Sequence, residues 1–90
     1  MSVTVRIPSP LRPLTGNAGT VECAPGTVAA IIDELEANHP GFRDRVTQDG
    51  KLRRFVNVFV AGQDVRFEQG IDTAVADGQE VTILPAVAGG

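Results

Sequence analysis

The sequence predicts an α+β fold, a mixed sheet with one main helix packed on one face, and three observations carry that expectation. Two short runs near the start alternate apolar and polar residues, a helical apolar spacing follows them, and a valine-rich run then precedes a last alternating segment. In the first run Val3, Val5 and Ile7 alternate with Thr4 and Arg6, the period of a strand with one buried face. Pro8 and Pro10 end it. Thr20 to Cys23 alternates again after the turn residues Thr15, Gly16 and Asn17, so the two runs form an antiparallel hairpin. Pro25-Gly26 is a break and Thr27 a good N-cap, after which Val28, Ile31, Ile32 and Leu35 follow the spacing of an amphipathic helix. Asn38 and Pro40 close that helix, and Pro40 opens a short second turn that tucks Phe42 and Val46 under the core. Phe55 to Val60 is the strongest strand, with Val56, Val58 and Val60 on one face and Phe55, Asn57 and Phe59 on the other. A short strand is expected at Val65 to Phe67, and Asp77-Gly78 introduces the last strand, Glu80 to Leu84. Pro85 has no amide hydrogen to give a ladder, so it marks where the chain leaves the sheet.

Ninety residues with 42% hydrophobic content fit one domain, here a body over residues 1–84 and a tail over 85–90. No apolar run with a positive flank begins the chain and none approaches membrane-spanning length, so a soluble, cytoplasmic protein without a membrane partner is expected. With one cysteine, Cys23, and one histidine, His39, neither a disulfide framework nor a Cys/His metal cluster is available. A net charge of −3 sets nucleic acid aside as the main partner. The basic run Lys51-Leu52-Arg53-Arg54 reads as a solvated loop or strand edge able to make one ionic contact with a partner protein. No phosphate loop and no Ser/His/Asp set is present, so no residue is assigned as catalytic.

What remains is the ending. Pro85 to Gly90 holds no charged side chain, hydroxyl or thiol, which makes the backbone carboxylate of Gly90 the candidate reactive group. Two glycines without Cβ atoms let such an end enter a narrow channel, with Gly89, Ala88 and Val87 as the threading residues. Six residues beyond Leu84 span roughly 20 Å when extended. The alternation that buries Val58, Val60, Val81 and Ile83 puts Phe59, Leu84, Phe55 and Thr82 on the opposite sheet face, an apolar patch beside the root of the tail that is expected to dock a partner. The other candidates read as structure: Cys23 as core packing, His39 as a helix-end contact with the dipole, and Asp33, Glu34 and Glu36 as a solvated helix face.

The strand order, the segment Thr73 to Ile83 and the ending Leu84 to Gly90 together resemble the β-grasp, ubiquitin-like sulfur carriers. That family includes the small subunit of molybdopterin synthase, the thiamine-pathway carrier and the carrier of thiocarboxylate-dependent cysteine synthesis. The ending, with Ile7-Pro8, Leu11-Arg12-Pro13 and Arg54-Phe55-Val56-Asn57, is most similar to the actinobacterial cysteine carriers, and Ala86 after Pro85 departs from the Pro-Pro common in molybdopterin synthase subunits. The resemblance implies a protein co-substrate, a monomer when free, that binds no cofactor. A partner adenylyltransferase related to ubiquitin-activating enzymes, with or without a rhodanese domain, would use ATP and Mg²⁺ to activate Gly90. Sulfur would then pass from a Gly90 thiocarboxylate to a pyridoxal-phosphate synthase or another acceptor enzyme, and a metalloprotease would release the product. Molybdopterin synthesis and protein modification are the alternatives, and the final acceptor is chosen by the partner.

Overall fold

The computed structural model describes residues 2–85 of the chain. In chain order the strands are β1 (Val3–Arg6), β2 (Thr20–Cys23), β3 (Gly26–Thr27), β4 (Thr47–Gln48), β5 (Lys51–Leu52), β6 (Val56–Val60), β7 (Gln63–Asp64), β8 (Ala74–Val75) and β9 (Glu80–Pro85). The helices are α1 (Val28–Asn38) and α2 (Phe42–Val46), and 3-10 turns lie at Ser9–Thr15, Val65–Phe67 and Gly70–Asp72.

Alternation in the first run gives the sheet its two faces: Val3, Val5 and Ile7 are buried while Arg6 is exposed. β1 pairs antiparallel with β2, Val3 opposite Cys23 and Arg6 opposite Thr20, as the hairpin pattern predicts. On its other side β1 runs parallel to β9, which pairs antiparallel with β6, and the main sheet has the order β2-β1-β9-β6-β7. The last strand of the chain is therefore its central strand. Central strands are apolar on the buried face, and Val81 and Ile83 meet Val60 and Val58 across the ladder there.

α1 covers that face. Thr27, in extended conformation, accepts the Ala30 N–H on its hydroxyl at 3.1 Å, which satisfies one of the helix's free N-terminal donors. Val28, Ile31, Ile32 and Leu35 then fall on one buried stripe and join Val3, Val5, Val58, Val81 and Ile83 in one core. α2 adds Phe42 and Val46, both fully buried.

Several expectations need correction. The second helix opens at Gly41, not Pro40, because the chain must turn there with φ +98°, which glycine adopts without a Cβ clash. The Glu36 carboxylate accepts the N–H groups of Gly41 and Arg43 at 3.2 and 2.8 Å, and these bonds hold its pKa below the usual carboxylate range. Glu34 accepts the Ala24 N–H at 3.0 Å and Asp33 pairs with Arg43 at 2.8 Å. The acidic face of α1 is thus partly a set of ties to neighbouring segments. Val65–Phe67 is a 3-10 turn and not a strand, because Asp64 accepts the Arg66 N–H at 2.9 Å and turns the chain after the two residues of β7. Phe55 precedes the strand expected to contain it: the Val56 N–H bonds to the Arg53 carbonyl at 3.0 Å, closing a turn before β6 begins. β9 keeps its register through Pro85, which lies opposite Val56.

Candidate functional site

The sheet face away from α1 is built from the alternate residues of β1, β9 and β6. Thr82 lies between Arg6 on the parallel neighbour and Phe59 on the antiparallel one, and Leu84 lies opposite Asn57. The face divides along the strand direction. At one end Ser2 and Thr4 donate hydroxyl hydrogen bonds to Glu22, both at 2.7 Å, and Arg6 pairs with Glu80 at 2.9 Å. The Thr4 bond, then the Ser2 bond, lowers the Glu22 pKa. Thr82 and Phe59 lie level with Arg6 in the middle of the face, and towards the other end, where β9 runs out, stand Leu84 and Asn57.

Leu84 is 47% and Phe55 57% exposed, while Phe59 and Thr82 are half-buried. Of the four expected patch residues, Thr82, Phe59 and Leu84 share this sheet face, Leu84 nearest the end of β9, while Phe55 lies in the turn before β6, next to Val56, which is opposite Pro85. A groove of about 330 Å³ continues the patch, walled by Arg6, Pro8, Pro10, Arg12, Thr82 and Leu84. The Arg12 guanidinium donates to the Ile7 carbonyl at 3.1 Å and so props the 3-10 turn that forms the groove's far wall. Phe67, 87% exposed on its turn, is an apolar surface that the expected strand assignment hid. Val87, Ala88, Gly89 and Gly90, the tail and its carboxylate, lie outside the described residues.

The remaining chemical candidates are placed as structure. Cys23 is buried on β2, and burial, reinforced by the Glu34 and Glu22 carboxylates, pushes its thiol up to about 11. His39 is the C-cap of α1, its backbone N–H bonded to the Leu35 carbonyl at 2.7 Å. Among the described residues no group of His, Cys, Asp or Glu could hold a metal ion. No helix among them is long and apolar enough to cross a membrane.

The raised thiol pKa has a testable consequence. Folding favours the neutral thiol, so its contribution to stability is complete below the unfolded thiol range and is lost as pH climbs towards about 11. Iodoacetamide should label Cys23 slowly in the folded chain at pH 8 and rapidly in urea, and Cys23→Ala should flatten the alkaline fall in stability. Rapid labelling of the folded chain would contradict the packing role.

A model of the ThiS family matches residues 5–90. The chain is 53% identical to the sulfur carrier protein CysO of Mycobacterium tuberculosis over 93 residues, covering 100% of both. It is 39% identical over 64 residues to small archaeal modifier protein 3 of Haloferax volcanii, covering 71% of this chain and 70% of that protein. The crystal structure of the Amycolatopsis orientalis BexX/CysO complex contains a chain that superposes with a TM-score of 0.94 at 50% identity, covering 98% of this chain and 99% of that one.

Proposed function

Since the chain belongs to the ThiS family of ubiquitin-like, β-grasp sulfur carriers, and is a carrier and not a catalyst, we propose that its sulfur is loaded on the backbone carboxylate of Gly90. The observation that carries this reading is the position of β9: the central strand keeps its pairing through Pro85, five residues short of Gly90, so a rigid body presents the start of a short tail. The family match runs to residue 90, which supports the same assignment.

A carboxylate is a poor acyl donor because oxide is a bad leaving group. An adenylyltransferase attaches the Gly90 carboxylate to the α-phosphorus of ATP with loss of pyrophosphate, Mg²⁺ neutralising the phosphate charge. Sulfide then displaces AMP and leaves a thiocarboxylate; a persulfide donor forms an acyl disulfide that a thiol must cleave. A pyridoxal-phosphate synthase would supply the electrophilic carbon that the anionic sulfur attacks, and this chain's part would be to carry that sulfur to it. A metalloprotease hydrolyses the resulting adduct from Gly90 and frees cysteine. The relationship to CysO, and the likeness to a chain crystallised with a partner in the BexX/CysO complex, support delivery to a small-molecule acceptor bound by another protein.

Intact mass spectrometry tests the assignment. After incubation with the adenylyltransferase, ATP, Mg²⁺ and sulfide, the chain should gain the mass of one O-to-S exchange, mapped to Gly90. An unchanged mass under conditions that charge the M. tuberculosis relative would overturn it.

The identity to an archaeal modifier protein favours a second reading, in which the activated Gly90 is transferred to a lysine of another protein. Isopeptide-linked species of high mass in cell extracts would support it, and the absence of such species would leave sulfur delivery alone. Lys51, the sole lysine, limits chains of self-conjugates to one linkage type.

A further inference from the structure

The basic run that the docking patch leaves unused has its own architecture. Of the eight basic residues in this acidic chain, six lie between positions 43 and 66: Arg43, Arg45, Lys51, Arg53, Arg54 and Arg66. Three of them meet at the turn that precedes β6. The Arg66 guanidinium crosses to this turn and donates to the Asn57 side-chain carbonyl at 2.6 Å, the Arg53 carbonyl at 2.7 Å and the Arg54 carbonyl at 3.3 Å. Arg53 is spent on the body as well, donating to the Asp44 carbonyl at 2.7 Å and to Gln48 at 3.4 Å. Among the described residues the ion pairs are Arg6–Glu80 and Arg43–Asp33, so Arg54 takes part in neither. Its side chain is exposed, and the exposed Phe55 ring follows it directly.

We propose that the Arg53–Phe55 turn adds a charged contact to the docking patch, presenting the Arg54 guanidinium beside the Phe55 ring to a carboxylate-bearing rim around the tail channel of the activating enzyme, with Arg66 as the positioning residue. The inference rests on the carrier reading above. Its partner chemistry follows from charge and distance. A local cationic edge on a chain of net charge −3 selects an anionic surface that the rest of the molecule repels. The nucleotide is not that surface. Val56, next to the turn, is opposite Pro85, and the five residues from there to Gly90 span about 17 Å when extended into a channel. An arginine rooted at position 54 stays at the channel mouth, where the available anions are protein carboxylates.

Arg66 acts through shape. A turn with one exposed arginine and one exposed ring would sample many conformations, and ordering them at the interface weakens binding. The planar fork of Arg66 bridges two successive carbonyls and Asn57, so the turn is ordered before the partner arrives. Lysine carries the same charge but cannot reproduce that fork.

Initial rates of Gly90 activation against carrier concentration, at about 0.05 M and about 0.5 M salt, test the proposal. Arg54→Glu should raise KM about fivefold at low salt with kcat unchanged, and most of the effect should vanish at high salt. Arg66→Lys should raise KM about threefold at both salt concentrations, again with kcat unchanged, and should speed amide exchange at Val56. An Arg54→Glu KM equal to wild type at low salt, or a rise undiminished by salt, overturns the acidic rim. An Arg66→Lys KM equal to wild type overturns the positioning role. A wild-type chain that gains no sulfur strikes the carrier reading itself, whereas normal charging with equal KM values strikes this inference alone.

Discussion

Deleting Gly90, or adding one residue after it, should abolish the O-to-S mass exchange while leaving the thermal midpoint of the body unchanged. The reason lies in how the chain delivers its end. Strand pairing holds the last strand through Pro85, so the distance from body to carboxylate is set by the five residues that follow. Once the body is docked, one residue more or fewer moves the carboxylate by about 3.3 Å along an extended tail. In-line attack tolerates far less, since a misplacement of about 1 Å already costs on the order of 100-fold in rate. Gly89→Val should fail for a different reason, because a β-branched side chain would meet the walls of a channel shaped for a residue without a Cβ. Intact mass spectrometry separates these from a folding defect when it is paired with a melting curve. Sulfur gained by the chain that lacks Gly90 would move the reactive group elsewhere and end the assignment.

The body of the molecule was largely legible because its signals are local. Val3, Val5 and Ile7 alternate, Val28, Ile31, Ile32 and Leu35 recur at helical spacing, and both patterns follow from which residues a strand or a helix can turn inward. The common face of Phe59, Thr82 and Leu84 was legible for the same reason, since alternation within β6 and β9 fixes it whatever those strands pair with. The acidic residues of α1 were harder to read. Their position opposite the apolar stripe is a helical property, but Glu36 is tied down only because the chain reverses at Gly41 and brings two N–H groups back to it. The role of Arg66 was hidden more deeply. Its three acceptors belong to residues nine to thirteen positions away, on a turn whose existence depends on the Val56 N–H bonding to the Arg53 carbonyl. No periodicity encodes such a contact. Phe55 is exposed, but from a turn, because the strand expected to contain it begins one residue later.

Leu84→Asp should raise the KM for activation by about 10- to 100-fold with kcat little changed, and Leu84→Ala should fall between that variant and wild type. Leu84 is on the central strand, opposite Asn57 and one residue before Pro85, so a partner that receives the tail must pass over it. Full burial of a leucine is worth about 1.5–3 kcal/mol, and 47% exposure leaves roughly half of that for the interface. Replacement by aspartate adds the cost of desolvating a carboxylate against an apolar surface, which brings the total into the stated range. The fold should survive, because the buried neighbours Val81 and Ile83 keep the strand in the core and the exposed position tolerates a polar side chain at a cost of up to about 1 kcal/mol. The discriminating control is Phe67→Asp. Among the described residues Phe67 is the most exposed of the large apolar side chains, at 87%, yet it belongs to the turn after β7, the edge strand, and not to the strand that leads to the tail. If exposure alone selected the docking surface, Phe67→Asp would give the larger effect; if the partner reads the strand that delivers the carboxylate, Leu84→Asp must. Measured KM values for the two variants decide between these, and a larger penalty at Phe67 would move the interface to the sheet edge.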